Sequence, residues 1–393
     1  MLLRRVLSLA LSVVLICPLF PCAHGVSAAA YCVIDADTDE VLYSDRADDE
    51  MPMASTTKIM TCLVALREAD IHEEVVIPAA AVGVEGSSVY LQAGERLTLL
   101  DLLYALMLQS ANDAAVAVAI AVSGSIEAFV ARMNETAKEL GLTHTCFADP
   151  HGLSSNGHYS TARDLCRLMR VAMEDEIFAL ITGEVRMQIP APDGGIRTIV
   201  NHNRLLRSYD SCIGGKTGYT RVAGRCLVTA AERSGKRLIC ATLNAPDDWN
   251  DHRSLFEQGF SLYHEVALCE FAGIRQELPV VGGELHAVDV TNLDACSVMV
   301  RGDEPIRQVL ELPRFLYAPV PGIEFATDDA DILRRAGVSV GDAVFLQGNR
   351  EVARVPLYPM MNVGKAPREL SIWEKISAWF TSFWEWFTGL WKK

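Results

Sequence analysis

The chain has 393 residues, of which 50% are hydrophobic and 22% are charged, and its formal net charge at pH 7 is −15. Length and composition indicate a globular protein, and they exclude both a disordered chain and a polytopic membrane protein. The negative charge argues against nucleic acid as a partner and against general electrostatic adhesion to anionic lipid, because both require a basic surface.

The first 29 residues have the pattern of a secretory signal peptide. Arg4 and Arg5 precede an apolar run over residues 6–16, and small residues follow up to Ala30. The run is too short to cross a bilayer comfortably, which disfavours the alternative of an uncleaved N-terminal anchor. We therefore expect an exported protein that is cleaved between Gly25 and Ala30.

The chain contains eleven cysteines, of which Cys17 and Cys22 lie in the predicted signal peptide, so nine remain in the mature protein. Export would permit disulfides, but a mature chain of this length does not need them to form a core. Cys62 and Cys226 lie among apolar neighbours, and we interpret the cysteines as small buried hydrophobic residues. No C-x-x-C pair is present, so no thiolate metal site is predicted.

Residues 30–265 are predicted to form one domain with a sheet and a helical lobe. Apolar stretches around polar turns at 37–39 and 233–236 predict two hairpins. Apolar segments with helical spacing lie between them, over about 55–66, 97–109, 113–122, 126–140 and 162–172. A closing helix is predicted over 255–263. Strands, a block of helices and then strands again indicate an α+β fold.

Over residues 268–360 the sequence consists of short segments in which apolar and polar residues alternate, such as 285–290 and 344–355, separated by turn residues. This pattern predicts a separate small β-rich domain. Residues 361–370 would then link it to a C-terminal helix.

The segment 371–393 is predicted to form an amphipathic helix that lies on a membrane surface. At 1.5 Å per residue it would be about 34 Å long, enough to span a bilayer, but charges such as Glu374, Lys375 and Glu385 favour an interfacial position. Five of the six tryptophans lie here, and tryptophan prefers the headgroup layer. A helix docked against its own protein is the alternative. The apolar positions are Ile372, Trp373, Ile376, Trp379, Phe380, Phe383, Trp384, Phe387, Leu390 and Trp391.

The first reactive motif is Ser55-Thr56-Thr57-Lys58, the only S-x-x-K in the chain. Residues three apart lie on the same helical face, so a serine that opens a helix places its hydroxyl beside the lysine amine. The amine acts as a base only when it is neutral, and burial, a helix N-terminus and a second cation all lower its pKa. An N-cap serine beside a solvated lysine is the alternative, but the predicted helix is too apolar for a surface position.

Two further motifs supply polar groups. Ser110-Ala111-Asn112 lies in the break between two predicted helices, where side chains can point into a cleft; alone it is a weak signal, because Ser154-Ser155-Asn156 matches equally well. Lys216-Thr217-Gly218 is the only K-[ST]-G, on a glycine-rich strand that a substrate backbone can approach closely. Its lysine and threonine offer a cation and a hydroxyl to a carboxylate, although a polar edge strand would look the same.

In this order, on a helix, an interhelical loop and a strand, the motifs resemble those of the penicillin-interacting serine peptidases and β-lactamases. In detail the chain resembles the low-molecular-mass penicillin-binding proteins, the serine-type D-alanyl-D-alanine carboxypeptidases. Gln109–Asp113, His151–Leu153 and His158–Ala162 add to a resemblance that covers nearly the whole mature chain. It implies a β-lactamase/transpeptidase-like domain, a β-rich second domain, a C-terminal helix, and neither metal nor other cofactor.

The resemblance also implies roles for the residues. Ser55 would attack the carbonyl between two D-alanines while Lys58 takes its proton, and Ser110 would shuttle a proton to the leaving amine. Asn112 would position the substrate. Lys216 and Thr217 would bind the terminal carboxylate of the substrate, with Arg253 as a second carboxylate-binding arginine. The backbone N–H groups of Ser55 and Tyr219 would bind the oxyanion, and Gly218 would allow the substrate backbone to approach closely.

We therefore expect a carboxypeptidase at the outer face of the cytoplasmic membrane. It would release D-alanine from peptidoglycan stem pentapeptides and would be inhibited covalently by β-lactams. Ala111, where glycine is frequent, and Tyr219, where some relatives carry histidine, leave substrate preference open. The alternatives are an endopeptidase or transpeptidase with the same acyl-enzyme, and a non-catalytic wall-binding module. A zinc peptidase and a Ser-His-Asp hydrolase are disfavoured, because neither H-E-x-x-H nor G-x-S-x-G occurs.

Overall fold

The computed structural model describes residues 25–153, 156–323, 338–367 and 371–390, with side chains of the last segment up to 385. Almost all of the predicted signal peptide, and Ser154-Ser155 of the second S-x-N match, therefore lie outside the described residues. The described chain divides into two compact units: the first extends to Phe260 apart from residues 234–236, which are grouped with the second unit, and the second begins at Ser261.

The first unit contains a five-stranded antiparallel sheet with the order β2-β1-β9-β8-β7. Two short hairpins, β3–β4 and β5–β6, accompany it. Both predicted hairpins are confirmed, as β1–β2 and β8–β9. The strands are β1 Ala30–Asp35, β2 Val41–Asp45, β3 Glu74–Val76, β4 Arg96–Thr98, β5 Arg186–Pro190, β6 Ile196–Val200, β7 Cys212–Thr220, β8 Gly224–Arg233 and β9 Lys236–Leu243.

Eight helices of the described chain complete this unit, and those of the helical lobe surround α1. Every residue of α1 from Lys58 to Ala65 is buried, which explains why its sequence is apolar on most sides. The helices are α1 Lys58–Glu68, α2 Leu99–Leu108, α3 Asn112–Ser123, α4 Ile126–Glu139, α5 Ala162–Ala172, α6 Glu176–Gly183, α7 Leu205–Ser208 and α8 Asp248–Phe260.

Three predicted helix bounds need correction. Ser55 lies in a short 3₁₀ turn, Ala54–Thr57, that runs directly into α1, rather than at the α-helical start. The helix predicted from residue 97 begins at Leu99 instead, because Thr98 caps α2 in a capping box with Asp101. Leu97 belongs to β4. The closing helix α8 starts at residue 248 instead of 255 and ends before residue 263, which begins a strand of the second unit.

In the described part of the chain, no single helix is both long and apolar enough to cross a membrane. The pair α3 and α4 passes that test jointly, although the two helices meet at 84°. The first two turns of α3 are buried in the helical lobe, as expected for a core helix.

The second unit is β-rich, as predicted. A six-stranded sheet has the order β14-β16-β17-β12-β11-β15, and β10 pairs with β13 in a two-stranded sheet. Its core contains Leu278, Val290, Phe345 and Leu357. The strands are β10 Tyr263–Cys269, β11 Arg275–Val281, β12 Ala287–Asn292, β13 Cys296–Arg301, β14 Ile306–Glu311, β15 Leu316–Tyr317, β16 Gly341–Gln347 and β17 Arg350–Pro359.

A helix over Ile372–Leu390 follows, where an amphipathic helix was predicted. The Ser371 N–H donates to the Glu374 carboxylate at 2.7 Å, and the Ser371 hydroxyl accepts from the Glu374 N–H at 3.2 Å, a reciprocal cap. Large apolar side chains are exposed along it, among them Trp373 and Trp379, which are 79% and 62% exposed.

Candidate active site

Residues from all three motifs line one cleft of the first unit, with a volume of about 440 Å³. The first motif contributes Ser55, the second Ser110, and the third Thr217. The fold brings them together because the 3₁₀ turn before α1 packs against β7, while the α2–α3 break lies in the same lobe. Further lining residues are Ser87, Val200, Asn201, His202, Arg204, Arg207, Gly218, Tyr219, Arg225, Asp248 and Trp249.

The Lys58 amine makes three polar contacts in a site where the side chain has no exposure to solvent. Its Nζ lies 2.9 Å from Ser55 Oγ, 2.7 Å from Asn112 Oδ1 and 2.8 Å from the His151 carbonyl oxygen. A neutral amine has two hydrogens and one lone pair. Because the two carbonyl oxygens can only accept, they take the two hydrogens, and the lone pair is left for the Ser55 hydroxyl.

Electrostatics favour that neutral form. Burial lowers the pKa of Lys58 well below its ordinary value, and the positive charge of Lys216 lowers it further. Asp149 and Asp113 act in the opposite direction without reversing the shift. Burial also lowers the pKa of Lys216, to about 7.

The nucleophile turn is held in an unusual backbone conformation. Ala54, directly before Ser55, has φ +48°, a left-handed value that alanine rarely adopts. The Thr57 hydroxyl donates to the Ala54 carbonyl at 2.8 Å and lies 2.8 Å from His158 Nε2. Gly152 packs against the same carbonyl at φ +88°, where a Cβ would lie only 1.9 Å from it.

His158 has a defined tautomer in this arrangement. Its Nδ1 accepts from the Ala148 N–H at 3.0 Å, so the neutral ring carries its proton on Nε2 and donates to Thr57. Burial lowers the pKa of His158, which favours this neutral ring. An unbroken chain of hydrogen bonds therefore runs from Ala148 through His158 and Thr57 to the turn that carries Ser55.

The Asp149 carboxylate organises the neighbouring loop. Its Oδ1 accepts from the N–H groups of His151 at 2.9 Å and Gly152 at 2.5 Å, and lies 3.0 Å from His151 Nδ1. Burial alone would raise the pKa of Asp149, but His151, His158 and the Gly152 amide hold it at about 2. The loop thereby aims the His151 carbonyl at Lys58.

Ser110 and Asn112 occupy the break between α2 and α3. Ser110 is buried, has φ +59° and lines the cleft, whereas Asn112 is the first residue of α3. The Asn112 amide nitrogen donates to the Glu85 carbonyl at 2.6 Å, which orients the amide oxygen towards Lys58.

The Asp113 carboxylate accepts from Ser88 Oγ at 2.6 Å and from the N–H groups of Val89 and Leu91. Asn112 and Asp113 together fix the loop 85–91 beside the cleft.

The third motif lies on β7, the edge strand of the sheet. Lys216 is buried, and its ammonium donates to the Thr217 carbonyl at 3.0 Å. A Cβ at Gly218 would lie 2.9 Å from the Ser55 nitrogen, so only glycine allows this close approach. Tyr219 is 68% exposed at the end of the motif. An edge strand next to the nucleophile can pair with an extended substrate backbone.

Arg253 is not among the residues that line the cleft. Its guanidinium donates to the Ser208 carbonyl at 2.8 Å, on the exposed side of α8. Three other arginines line the cleft instead: Arg204, Arg207 and Arg225. Arg225 forms an ion pair with Asp248 at 2.7 Å, and its guanidinium lies over the Trp249 ring.

Sequence reasoning missed the supporting residues. His158 and Asp113 appear in the sequence only as parts of stretches that resemble the family, without a role, and Asp149 lies outside those stretches. Their contacts join positions about 100 residues apart, such as Thr57 and His158, and no local pattern reports such a pairing. For two of the cleft arginines the sequence did offer a signal, namely their proximity to the third motif: Arg204 and Arg207 lie shortly before Lys216-Thr217-Gly218.

This arrangement can perform acyl transfer: a hydroxyl faces an amine lone pair, a buried cation lies nearby, and an edge strand offers backbone N–H groups. The comparisons with known proteins agree with that chemistry. The sequence profile of the Peptidase S11 family, described as D-alanyl-D-alanine carboxypeptidase, matches residues 20–247.

Individual relatives extend the match beyond the first unit. The D-alanyl-D-alanine carboxypeptidase DacF of Bacillus subtilis is 30% identical over 333 residues, which cover 81% of this chain and 85% of that protein. Penicillin-binding protein 5 of Haemophilus influenzae has a similar crystal structure, with a TM-score of 0.59 and 25% identity over 87% of this chain and 98% of that chain. The DD-transpeptidase of Streptomyces K15 matches with a TM-score of 0.58 and 32% identity over 61% of this chain and 99% of its own.

Proposed function

The chain belongs to the Peptidase S11 family of D-alanyl-D-alanine carboxypeptidases, and we propose that Ser55 is the nucleophile with which it removes the terminal D-alanine from peptidoglycan stem pentapeptides. The observation that carries this assignment is the contact of 2.9 Å between Ser55 Oγ and the buried Lys58 amine. It supplies the base that a serine nucleophile needs.

In acylation, the Ser55 hydroxyl gives its proton to neutral Lys58 as Oγ attacks the carbonyl between the two D-alanines. The developing oxyanion accepts from the N–H groups of Ser55 and Tyr219. Collapse of the tetrahedral intermediate breaks the C–N bond, and the leaving amine receives the proton from Lys58 by way of Ser110. Free D-alanine departs. Water then takes the place of the leaving amine: it gives a proton to Lys58 as it attacks the ester, the bond to Ser55 Oγ breaks, and Lys58 returns the proton to Oγ as the shortened peptide leaves as a carboxylic acid.

The substrate carboxylate is bound by the third motif. Lys216 supplies a buried cation and Thr217 a hydroxyl beside it, while β7 pairs with the peptide backbone through Gly218 and Tyr219. Asn112, held between Glu85 and Lys58, positions the substrate amide. A β-lactam presents a strained amide and a carboxylate to the same groups, so it acylates Ser55 and inhibits the enzyme.

Carboxypeptidase activity is favoured over cleavage or formation of cross-links, although a transpeptidase is among the structural neighbours. A pentapeptide ending in D-Ala-D-Ala offers a free carboxylate to Lys216, whereas the carboxylate of a cross-link is differently placed. An ordinary buried polar group without a partner costs about 1–3 kcal/mol, and a charged group costs more. A cross-linked substrate that leaves the buried Lys216 cation unpaired is therefore disfavoured. The alternative of a non-catalytic wall-binding module does not account for the Ser55–Lys58 contact.

The test compares pentapeptide and cross-linked dimer side by side, and measures D-alanine released from the pentapeptide together with the interconversion of dimer and monomer. Faster release from the pentapeptide supports carboxypeptidase activity. Faster cleavage of the dimer would assign an endopeptidase, and dimer formation from pentapeptide a transpeptidase.

The chain is proposed to act outside the cytoplasmic membrane, attached to its surface through residues 371–393. The predicted signal peptide supports export, and the exposed apolar side chains of the C-terminal helix, Trp373, Trp379 and Phe380 among them, support interfacial binding. A chain ending at residue 370 should leave the membrane fraction and stay active, while salt washing should not release the full chain. Membrane retention of the shortened chain would point to the N-terminal segment as the anchor.

A further inference from the structure

Two cysteines of the second unit are direct partners across a strand pair. In the antiparallel pair β10–β13, Cys269 is in register with Cys296. Directly opposite residues of an antiparallel pair have Cα atoms about 4.5–5.5 Å apart and side chains on the same face. A disulfide needs a Cα separation of about 4.4–6.8 Å, which includes the ordinary spacing of such a pair. The register is irregular between Ala267 and Cys269, immediately before the pair.

The surroundings of the two thiols are consistent with contact between them. Cys269 Sγ accepts from the Asn292 amide at 3.5 Å and lies 3.9 Å from the Asp294 carbonyl oxygen, at the turn that leads into β13. Burial raises the pKa of Cys296, and the charge of a Cys269 thiolate raises it further. The Cys269 thiol accordingly lies in the neighbourhood of Cys296, its partner in the strand pair.

Both cysteines are only partly buried, which separates them from the other close cysteines of the chain. Cys32, Cys166 and Cys240 lie near one another in the first unit, but all three have no exposure to solvent. The Cys166 thiol donates to the Cys32 carbonyl at 3.2 Å in that interior. An oxidant from solution therefore reaches the pair in the second unit and not Cys32, Cys166 or Cys240.

We propose that Cys269 and Cys296 form a disulfide that links β10 to β13. The oxidant is a disulfide-class molecule, such as oxidised glutathione or the active-site disulfide of a thiol oxidase. One thiolate attacks it and forms a mixed disulfide with release of one thiol; the second protein thiolate then displaces the other. Two protein thiols lose two electrons and two protons, and the oxidant is reduced to two thiols.

The bond ties together the two strands of the two-stranded sheet and closes a loop that contains β11 and β12 of the six-stranded sheet. Cross-linking lowers the conformational entropy of the unfolded chain, which stabilises the second unit. Formation in the cell rests on the proposed export, because that places the chain in an oxidising compartment. The geometry itself does not depend on the function of the first unit.

The test counts thiols in the full chain. Reduced protein is incubated with oxidised glutathione, denatured and alkylated, and its mass is measured before and after reduction. We expect two fewer alkyl groups on the oxidised protein and a cross-linked peptide pair containing residues 269 and 296. Reductant should restore both alkylation sites and lower the melting temperature of the oxidised chain.

Matched variants locate the bond. Cys269→Ser should lose the cross-link and leave Cys296 alkylated or carrying glutathione, whereas Cys146→Ser, which changes another partly buried cysteine, should retain it. Full alkylation of both cysteines after oxidation, or a cross-link between other cysteines, would overturn the proposal. Acylation of Ser55 by a β-lactam is read separately, so a failure of the proposed function leaves the thiol count unaffected.

Discussion

The Nζ atom of Lys58 lies 2.9 Å from Ser55 Oγ, and two carbonyl oxygens, those of Asn112 and His151, occupy its other hydrogen-bonding directions. This relationship decides which way the proton moves. An ammonium would donate to all three oxygens and suppress the nucleophile, whereas the neutral amine accepts from the serine. Burial and Lys216 favour the neutral amine.

The general-base role predicts a particular pH dependence. The rate of acylation should rise with pH as Lys58 loses its proton, with an apparent pKa well below that of free lysine. Lys58→Arg should lower kcat/KM by about 100- to 10,000-fold, because a guanidinium keeps its proton. The measurement is acylation by a chromogenic β-lactam across pH. Substantial turnover by the arginine variant would contradict the role.

Lys216 should limit the rate on the alkaline side. Because burial lowers its pKa to about 7, the cation is lost as pH rises above neutrality. KM for a pentapeptide should then increase above pH 7 with a smaller change in kcat, because the substrate carboxylate loses its partner. Lys216→Arg keeps its charge at alkaline pH, so KM of this variant should rise less above pH 7. A substrate with an amidated C-terminus is the control. The same increase in KM above pH 7 with this substrate would refute the assignment.

His158 is predicted to position the nucleophile without touching the substrate. His158→Ala should remove the support of Thr57 and Ala54 and lower kcat by roughly 10- to 100-fold with little change in KM. His158→Gln can still donate to Thr57 and should recover much of the loss. Because protonation of His158 would replace its acceptor by a donor opposite Ala148, the glutamine variant should also keep more activity at acidic pH. Equal stability loss and equal KM effects in both variants would indicate a purely structural role.

The stability of the first unit should depend on His252. This ring is fully buried between the hydroxyls of Thr229 and Thr242, at 2.6 and 3.0 Å, and burial lowers its pKa to about 3. The unfolded chain binds a proton near pH 6.5 and the folded chain does not. Stability is therefore complete above pH 6.5 and falls as pH decreases towards 3, by up to about 1.4 kcal/mol per pH unit.

Urea unfolding at several pH values measures this slope. In a chain that ends at residue 370, Trp249 on α8 is the only tryptophan and reports on the first unit. His252→Gln should flatten the slope, and the exposed His264→Gln should not. An unchanged slope in the His252 variant would show that other groups cause the acid sensitivity.

Local patterns were sufficient for most of the first unit. The hairpins β1–β2 and β8–β9 and the bounds of α5 could be predicted because turn residues and apolar spacing define them locally. The start of α8 at Asp248 could not, because its first turn is acidic and polar and lacks an apolar pattern. The sequence also predicted the end of the first domain at residue 265, whereas the first unit ends at Phe260. The reason is that β10 is defined by its pairing with β13 and not by its own sequence.

The candidate site shows the same limit. Ser55 and Lys58 were predicted to be neighbours from their spacing, and the turn-to-helix junction preserves that spacing even though Ser55 itself is not α-helical. The left-handed Ala54 could not be foreseen, since Gly152 and His158 impose it from nearly 100 residues away. Arg253 was expected at the carboxylate, but its position on α8 directs it to Ser208.

The most direct test of the central claim is the mass of the protein after incubation with a β-lactam, followed by peptide mapping. We expect a covalent adduct of one β-lactam per chain, located on Ser55, and none on Ser55→Ala, whose loss of a single hydroxyl should leave the fold intact. D-alanine release from pentapeptide should disappear in the same variant. An adduct on another residue, or undiminished D-alanine release by Ser55→Ala, would contradict the assignment of Ser55 as the nucleophile.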